Sequence, residues 1–214
     1  MKNWKIISTT TALALSSSVN ATIINTWNDE ASFIAANAPL SMESFERTSS
    51  SDLPLVAGDI TVSTDNTTYG SFNGTTSDFG VTDGVQAVRY GADDGDSIFF
   101  DFSSAINLFG INIWGFGTTS GAPVFTLYDG LGNSEVVLSG TMSQDFEFFG
   151  FESDLDVVQV QFTLTGASGD GIYFDEAYYA ASAVPVPAAV WLFGSGLLGL
   201  IGVARNTKNH TLVS

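Results

Sequence analysis

The sequence predicts an all-β fold, an antiparallel β-sandwich of jelly-roll type with one short helix at its N-terminal end. Three observations lead there. Gly, Thr, Ser, Val and Phe dominate the interior of the chain while Lys, Arg, Gln and Leu are sparse, a composition suited to pleated, half-buried strands. Beyond Pro39 no helical period is sustained, and short apolar or alternating runs are separated by Gly, Asp, Asn and Ser turns. These runs number about nine in roughly 155 residues, the spacing of two packed antiparallel sheets; a one-sheet barrel is the second architecture they accommodate.

Taken in order, residues 1–21 read as a secretory signal. Lys2 and Lys5 form a positive start, residues 6–15 a short apolar stretch, and Val19-Asn20-Ala21 places small residues at the −3 and −1 positions of a cleavage site. The domain proper is expected over 22–183. It opens on Trp27-Asn28-Asp29-Glu30, where Asn28 can cap and Asp29 and Glu30 favour a first turn, so a short helix ends before Pro39. Strands follow over 40–45, 60–64, 86–90, 97–102, 108–116, 124–128, 135–138, 158–165 and 172–179. The clearest is 158–165, in which Val158, Val160, Phe162 and Leu164 make one apolar face.

The C-terminal end changes character. Val184-Pro185-Val186-Pro187 is a stiff, extended entry into the uncharged run 188–204, which as a helix spans ~25 Å, close to a hydrocarbon core. Trp191 lies near its outer boundary, and Arg205 and Lys208 follow in the tail 205–214 on the side that the positive-inside tendency makes cytoplasmic. Gly194, Gly196, Gly199 and Gly202 leave one face smooth for a neighbouring helix. The stretch from Val184-Pro185-Val186-Pro187 through Trp191-Leu192-Phe193-Gly194-Ser195-Gly196 closely resembles the VPLPA variant of the PEP-CTERM sorting signal. That resemblance implies recognition and processing near the motif by an exosortase-type enzyme, a transient anchor in the bacterial inner membrane, and association with exopolysaccharide in biofilm. Two departures stand out: Val186 occupies a position where Leu or Glu is usual, and the tail carries scattered cations in place of an Arg-rich cluster.

Charge narrows the partners. All 23 acidic residues fall within 22–183, against Arg47 and Arg89 and no lysine, so nucleic acid and anionic headgroups are repelled and cations attracted. The chain has no cysteine, which removes disulfides, thiolate metal sites and a Cys nucleophile. Its single histidine, His210, lies beyond the apolar run, which leaves no Ser-His triad or His-ligated zinc for an extracellular site. The expectation is therefore a non-enzyme; a glycosidase, which needs only two suitably spaced carboxylates, is the catalytic alternative.

Phe45-Glu46, Phe99-Phe100-Asp101-Phe102-Ser103-Ser104, Leu108-Phe109-Gly110-Ile111 and Gly169-Asp170-Gly171-Ile172-Tyr173-Phe174-Asp175-Glu176 resemble segments of the jelly-roll modules common in PEP-CTERM proteins, which look like carbohydrate-binding modules. That resemblance implies a structural Ca²⁺ shared by Glu46 and Asp175. Strand parity agrees, because Phe45 and Phe174 pointing inward turn Glu46 and Asp175 outward. Backbone carbonyls and Asp52 would complete the six to eight oxygens Ca²⁺ takes. Asp93-Asp94-Gly95-Asp96 is a second acidic cluster, read as a solvated turn before a strand, since it lacks the later Glu of an EF-hand. Among Trp114, Phe116, Tyr128, Phe146, Phe148, Phe149, Tyr173, Tyr178 and Tyr179 most rings fill the core; Trp114 and Tyr173 are the candidates to lie exposed and stack on sugar. Asn66 and Asn73 head sequons of no evident use in a bacterium. The expected function is adhesion: a rigid acidic sandwich on the cell surface or in the extracellular matrix, bound to exopolysaccharide, with a purely structural matrix role as the rival.

Overall fold

The computed structural model describes residues 23–46, 53–66, 74–76, 81–116, 122–138, 146–165 and 170–182. The signal segment, Asp52, Val184-Pro185-Val186-Pro187, the run 188–204 and the tail lie outside the described residues. Among those described, no helix is long and apolar enough to cross a membrane.

The described residues form eleven strands and one helix: β1 (Ile23–Trp27), α1 (Glu30–Asn37), β2 (Ser41–Glu43), β3 (Leu55–Ala57), β4 (Ile60–Thr64), β5 (Gly74–Thr76), β6 (Ala87–Ala92), β7 (Ser97–Phe116), β8 (Ala122–Asp129), β9 (Ser134–Leu138), β10 (Phe146–Thr165) and β11 (Asp170–Ala181). All pairings are antiparallel. The long strands β7 and β10 run side by side through two layers. The first half of β7 and the second half of β10 lie between β4 and β8, in the order β3-β4-β7-β10-β8-β9. Their other halves lie between β11 and β1, in the order β5-β6-β11-β7-β10-β1, with β2 extending the β6 side of β11.

Rings from the two layers meet in the middle, which makes the molecule a sandwich. Phe100 and Phe162 of the first layer stand 5.4 and 5.1 Å from Phe174 of the second. Phe125 stacks on Phe149 at 4.7 Å, and Phe102 reaches Tyr179 at 5.8 Å. Aromatic pairs at these separations add about 0.5–1.5 kcal/mol each beyond the area they bury.

Both long strands change layer where their inward parity flips. In β7 the inward residues are Ile98, Phe100, Phe102 and Ile106, then Phe109, Ile111 and Ile113. In β10 they are Phe149, Phe151, Leu155 and Val157, then Val160, Phe162 and Leu164. The register slips between Glu152 and Gln159, so an irregularity carries each strand round the corner. This corrects two expectations. The segments 97–102 and 108–116 are one strand, and Val158 is not on the apolar face: Val157 takes the buried place on the far side of the slip.

The helix lies one residue later than its expected cap. Asp29, not Asn28, is the N-cap; its side chain accepts from the Ser32 amide at 2.8 Å. Phe33, fully buried, anchors α1 on the outer face of the second layer between Trp27 at 5.2 Å and Phe148 at 5.3 Å. Gly110 and Gly150 face each other across β7 and β10 beneath it. A Cβ on Gly150 would stand 2.8 Å from the Phe33 ring, and one on Gly110 2.5 Å from that of Phe148, so the seat requires both glycines.

Candidate functional site

The outer face of the second layer holds most of the chemistry. Strand β11 places Tyr173 and then Asp175 on this face, because Ile172 and Phe174 point into the core. A left-handed Glu176 (φ 49°) then adds an extra residue to the strand, so Glu176 and Tyr178 also face outward. From β7, Asn112 pairs with Asp175 and Trp114 with Tyr173.

Asp175 is fully buried. Residues 81–86 cover it, and its carboxylate organises them: Oδ2 accepts from the Thr82 amide at 2.7 Å, the Thr82 hydroxyl at 2.9 Å and the Asp83 amide at 3.0 Å. Oδ1 accepts from the Glu176 amide at 2.9 Å. Burial outweighs these four donors and pushes the carboxyl up to about 6. Glu46 grips the far end of the same loop, its Oε1 accepting from the Val85 and Gln86 amides at 2.7 and 2.9 Å. Gly84 lies between them at φ 71°, so close to Glu46 that a Cβ there would fall 2.2 Å from Oε1.

The fold thus brings Glu46 and Asp175 onto one loop, although 129 positions separate them in sequence. Phe45 and Phe174 are buried, yet Phe45 is in the left-handed region (φ 55°), off any strand, and Asp175 points out of the core only to be covered. Glu46 Oε1 and both oxygens of Asp175 accept amide or hydroxyl hydrogens of this loop and of Glu176. Among the described residues no three acidic side chains converge on a point that would hold a metal. In this arrangement the two carboxylates clamp the loop; Asp52, which the calcium expectation also draws on, lies outside the described residues.

Beside the clamp is a network that sequence reading missed. Asn112, 7% exposed, donates from Nδ2 to Glu176 Oε2 at 2.8 Å and to Glu30 Oε2 at 3.2 Å. The Tyr178 hydroxyl lies 2.5 Å from Glu30 Oε1 and 3.3 Å from Glu176 Oε1. Burial, reinforced by the two carboxylates, raises the Tyr178 phenol above its ordinary range. One signal for this network was in the sequence: Asn112 interrupts an apolar strand at the same parity as Trp114.

Trp114 and Tyr173 do form a pair, their ring centroids 5.1 Å apart and tilted by 48°. Trp114 is half-buried, but Tyr173 is only 4% exposed, which corrects the expectation that both lie open. Strand β11 is central here, so Tyr173 lies between Arg89 of β6 and Trp114 of β7. The remaining rings divide as follows. Phe148, Phe149 and Tyr179 are buried and Tyr128 and Tyr178 half-buried, while the side chains of Phe116 and Phe146 lie outside the described residues.

In the acidic turn, Asp96 accepts from the Asp93 amide at 2.8 Å and from Asn66 Nδ2 at 2.6 Å, and Asp94 is exposed. Asn66 is itself buried and also donates to the Gly91 carbonyl, so this sequon asparagine is a structural brace; Asn73 lies outside the described residues.

No family model matches the chain, and no curated protein does. Solved structures with a similar fold include a family 29 carbohydrate-binding module, at 10% identity over 70% of this chain and 100% of that one, TM-score 0.42. A family 32 module from C. perfringens NanJ, solved with galactose, is 13% identical over 62% and 100%, TM-score 0.42. The K2 cleaved adhesin domain of Lys-gingipain is 10% identical over 68% and 100%, TM-score 0.45. Similarity at this level transfers neither a site nor a ligand to this chain.

Proposed function

We infer that this is a non-catalytic exported protein of the cell surface or extracellular matrix whose sandwich associates with exopolysaccharide. The observation that carries the reading is the outer face of the second layer. There a half-buried indole is held at a fixed tilt against a buried Tyr173, next to Asn112, Glu176, Tyr178 and Glu30. Rigid aromatic surface beside fixed hydrogen-bonding groups is what a sugar chain requires, because its C–H faces stack on rings while its hydroxyls pair with carboxylates and amides. Affinity electrophoresis of the full chain in detergent against the producing cell's exopolysaccharide tests it. Trp114→Ala is expected to weaken retention about 10-fold, the effect of losing roughly 1.4 kcal/mol of contact. Absence of retention in the unaltered protein would favour a purely structural matrix role.

Delivery belongs to the same proposal. The signal segment exports the chain, the run 188–204 holds it transiently in the inner membrane, and an exosortase-type enzyme acts near Val184-Pro185-Val186-Pro187. Mass spectrometry of the surface protein is expected to show both ends removed, and replacing Pro185 and Pro187 by Ala should leave the C-terminal end on. One observation favours a second reading, polysaccharide processing: Glu30 and Glu176 share Asn112 and Tyr178, which places two carboxylates side by side. Release of reducing ends by the unaltered protein, abolished in Glu176→Gln, would decide for it.

A further inference from the structure

A separate cleft opens at the corner where β7 passes from one layer to the other. Ser103 and Ser104 are exposed there, and the strand's parity flip leaves a gap of about 150 Å³. Its floor is apolar, made by Phe102, Ile106 and Tyr179, and its rim is polar, with Ser41, Asp59 and Ser103. Asp59 is fixed in place: its Oδ1 accepts from the Ser103 hydroxyl at 3.1 Å, and its carbonyl from the Ser103 amide at 2.9 Å. Burial, reinforced by the Asp59 and Glu43 carboxylates, raises the Tyr179 phenol above its ordinary range.

We propose that this cleft binds a single pyranose unit, the end or a side branch of a neutral glycan. A gap of about 150 Å³ is smaller than a whole hexose, so the cleft takes one face of a single sugar ring with its other substituents outside, and does not take a chain segment. The apolar floor suits the C–H face of such a ring, and the serine hydroxyls and Asp59 suit its hydroxyls. Asp59 and Glu43 set the charge: a uronic acid would bring a third carboxylate to the same place and is repelled. The proposal rests on the glycan reading above and adds a location and a class of sugar to it.

The test is saturation-transfer NMR and calorimetric titration of the full chain in detergent. The probes are neutral gluco-, galacto- and manno-oligosaccharides and the matching uronic-acid oligosaccharides. Saturation is expected on the terminal ring of a neutral probe, with uronic-acid probes at least 10-fold weaker. Asp59→Ala and Ser41→Trp, the second filling the cleft from an exposed position, should each weaken binding about 10-fold, while Trp114→Ala leaves the terminal-ring signal in place. If neither cleft variant changes binding and Trp114→Ala abolishes it, the cleft assignment falls and the glycan reading stands. If no probe binds while the exopolysaccharide still retains the unaltered protein, the cleft assignment falls and the glycan reading stands; if neither is bound, both fall.

Discussion

Asp175 joins a strand parity, a loop and a titration. Its folded-state value near 6 lies above the ordinary 3.8, so it contributes stability that is complete below about pH 4 and fades as the pH rises through about 6. Between pH 5 and pH 7.5 the unaltered protein should therefore lose more stability than Asp175→Asn, as read from urea midpoints. Equal losses would mean that the carboxyl is already ionised at pH 5. Gly84 is the other sensitive position. Alanine there meets both an unfavourable left-handed backbone and the Glu46 carboxylate, and should cost about 1–3 kcal/mol in urea unfolding. Gly95, also left-handed at φ 89° but with open space around it, provides the control; its alanine variant should lose about 1 kcal/mol.

At the scale of elements, α1 shows how little of a helix's position lies in the helix itself. Eight residues are too few to be stable alone, and only Phe33 is buried. Its place is set by Gly110 and Gly150 on strands far away in sequence. Gly150→Ala should push Phe33 off its seat, lowering stability by about 1–3 kcal/mol and exposing the α1 amides to hydrogen exchange before the sheet unfolds. Uniform exchange across helix and sheet would show that α1 is not a separable unit. The strands divide similarly. Those with period-two alternation, such as 60–64 and 124–128, were legible because one face is buried against a fixed partner. β1, β3 and β5 were not, being short edge segments of three to five residues with little pattern of their own. The first half of β10 was missed because the cluster Phe146-Glu147-Phe148-Phe149 has apolar side chains on both faces: Phe149 faces the core and Phe148 packs under α1.

For the whole molecule, the acidic surface and the clamp make opposite predictions about cations. With two arginines against 23 acids in 22–183, screening should stabilise the fold, and raising NaCl from ~0.01 to ~0.5 M should raise the melting temperature by several degrees. Calcium, by contrast, should add nothing beyond ionic strength, because Glu46 and Asp175 are engaged with amide hydrogens. Calorimetric melting of the full chain in millimolar Ca²⁺ and in EDTA at matched ionic strength is expected to give one midpoint. A calcium-specific rise lost in Glu46→Ala would overturn this prediction and favour the metal that the module resemblance implies.

Sequence alone determined the all-β class, the short N-terminal helix and the acidic character, because alternation, turn residues and charge are local or additive properties. It also singled out Trp114, Tyr173, Glu46 and Asp175 as residues to watch. Only the tertiary structure decided what they do. Register across β7, β10 and β11 sets which side chains are neighbours, and the slip in the long strands sets which face each half presents. That is why Tyr173 is covered, why Asp175 holds a loop 93 residues away, and why Glu30 meets Tyr178 across 148 positions. Those contacts arise from long-range pairing, where a shift of one residue exchanges the two faces of a strand.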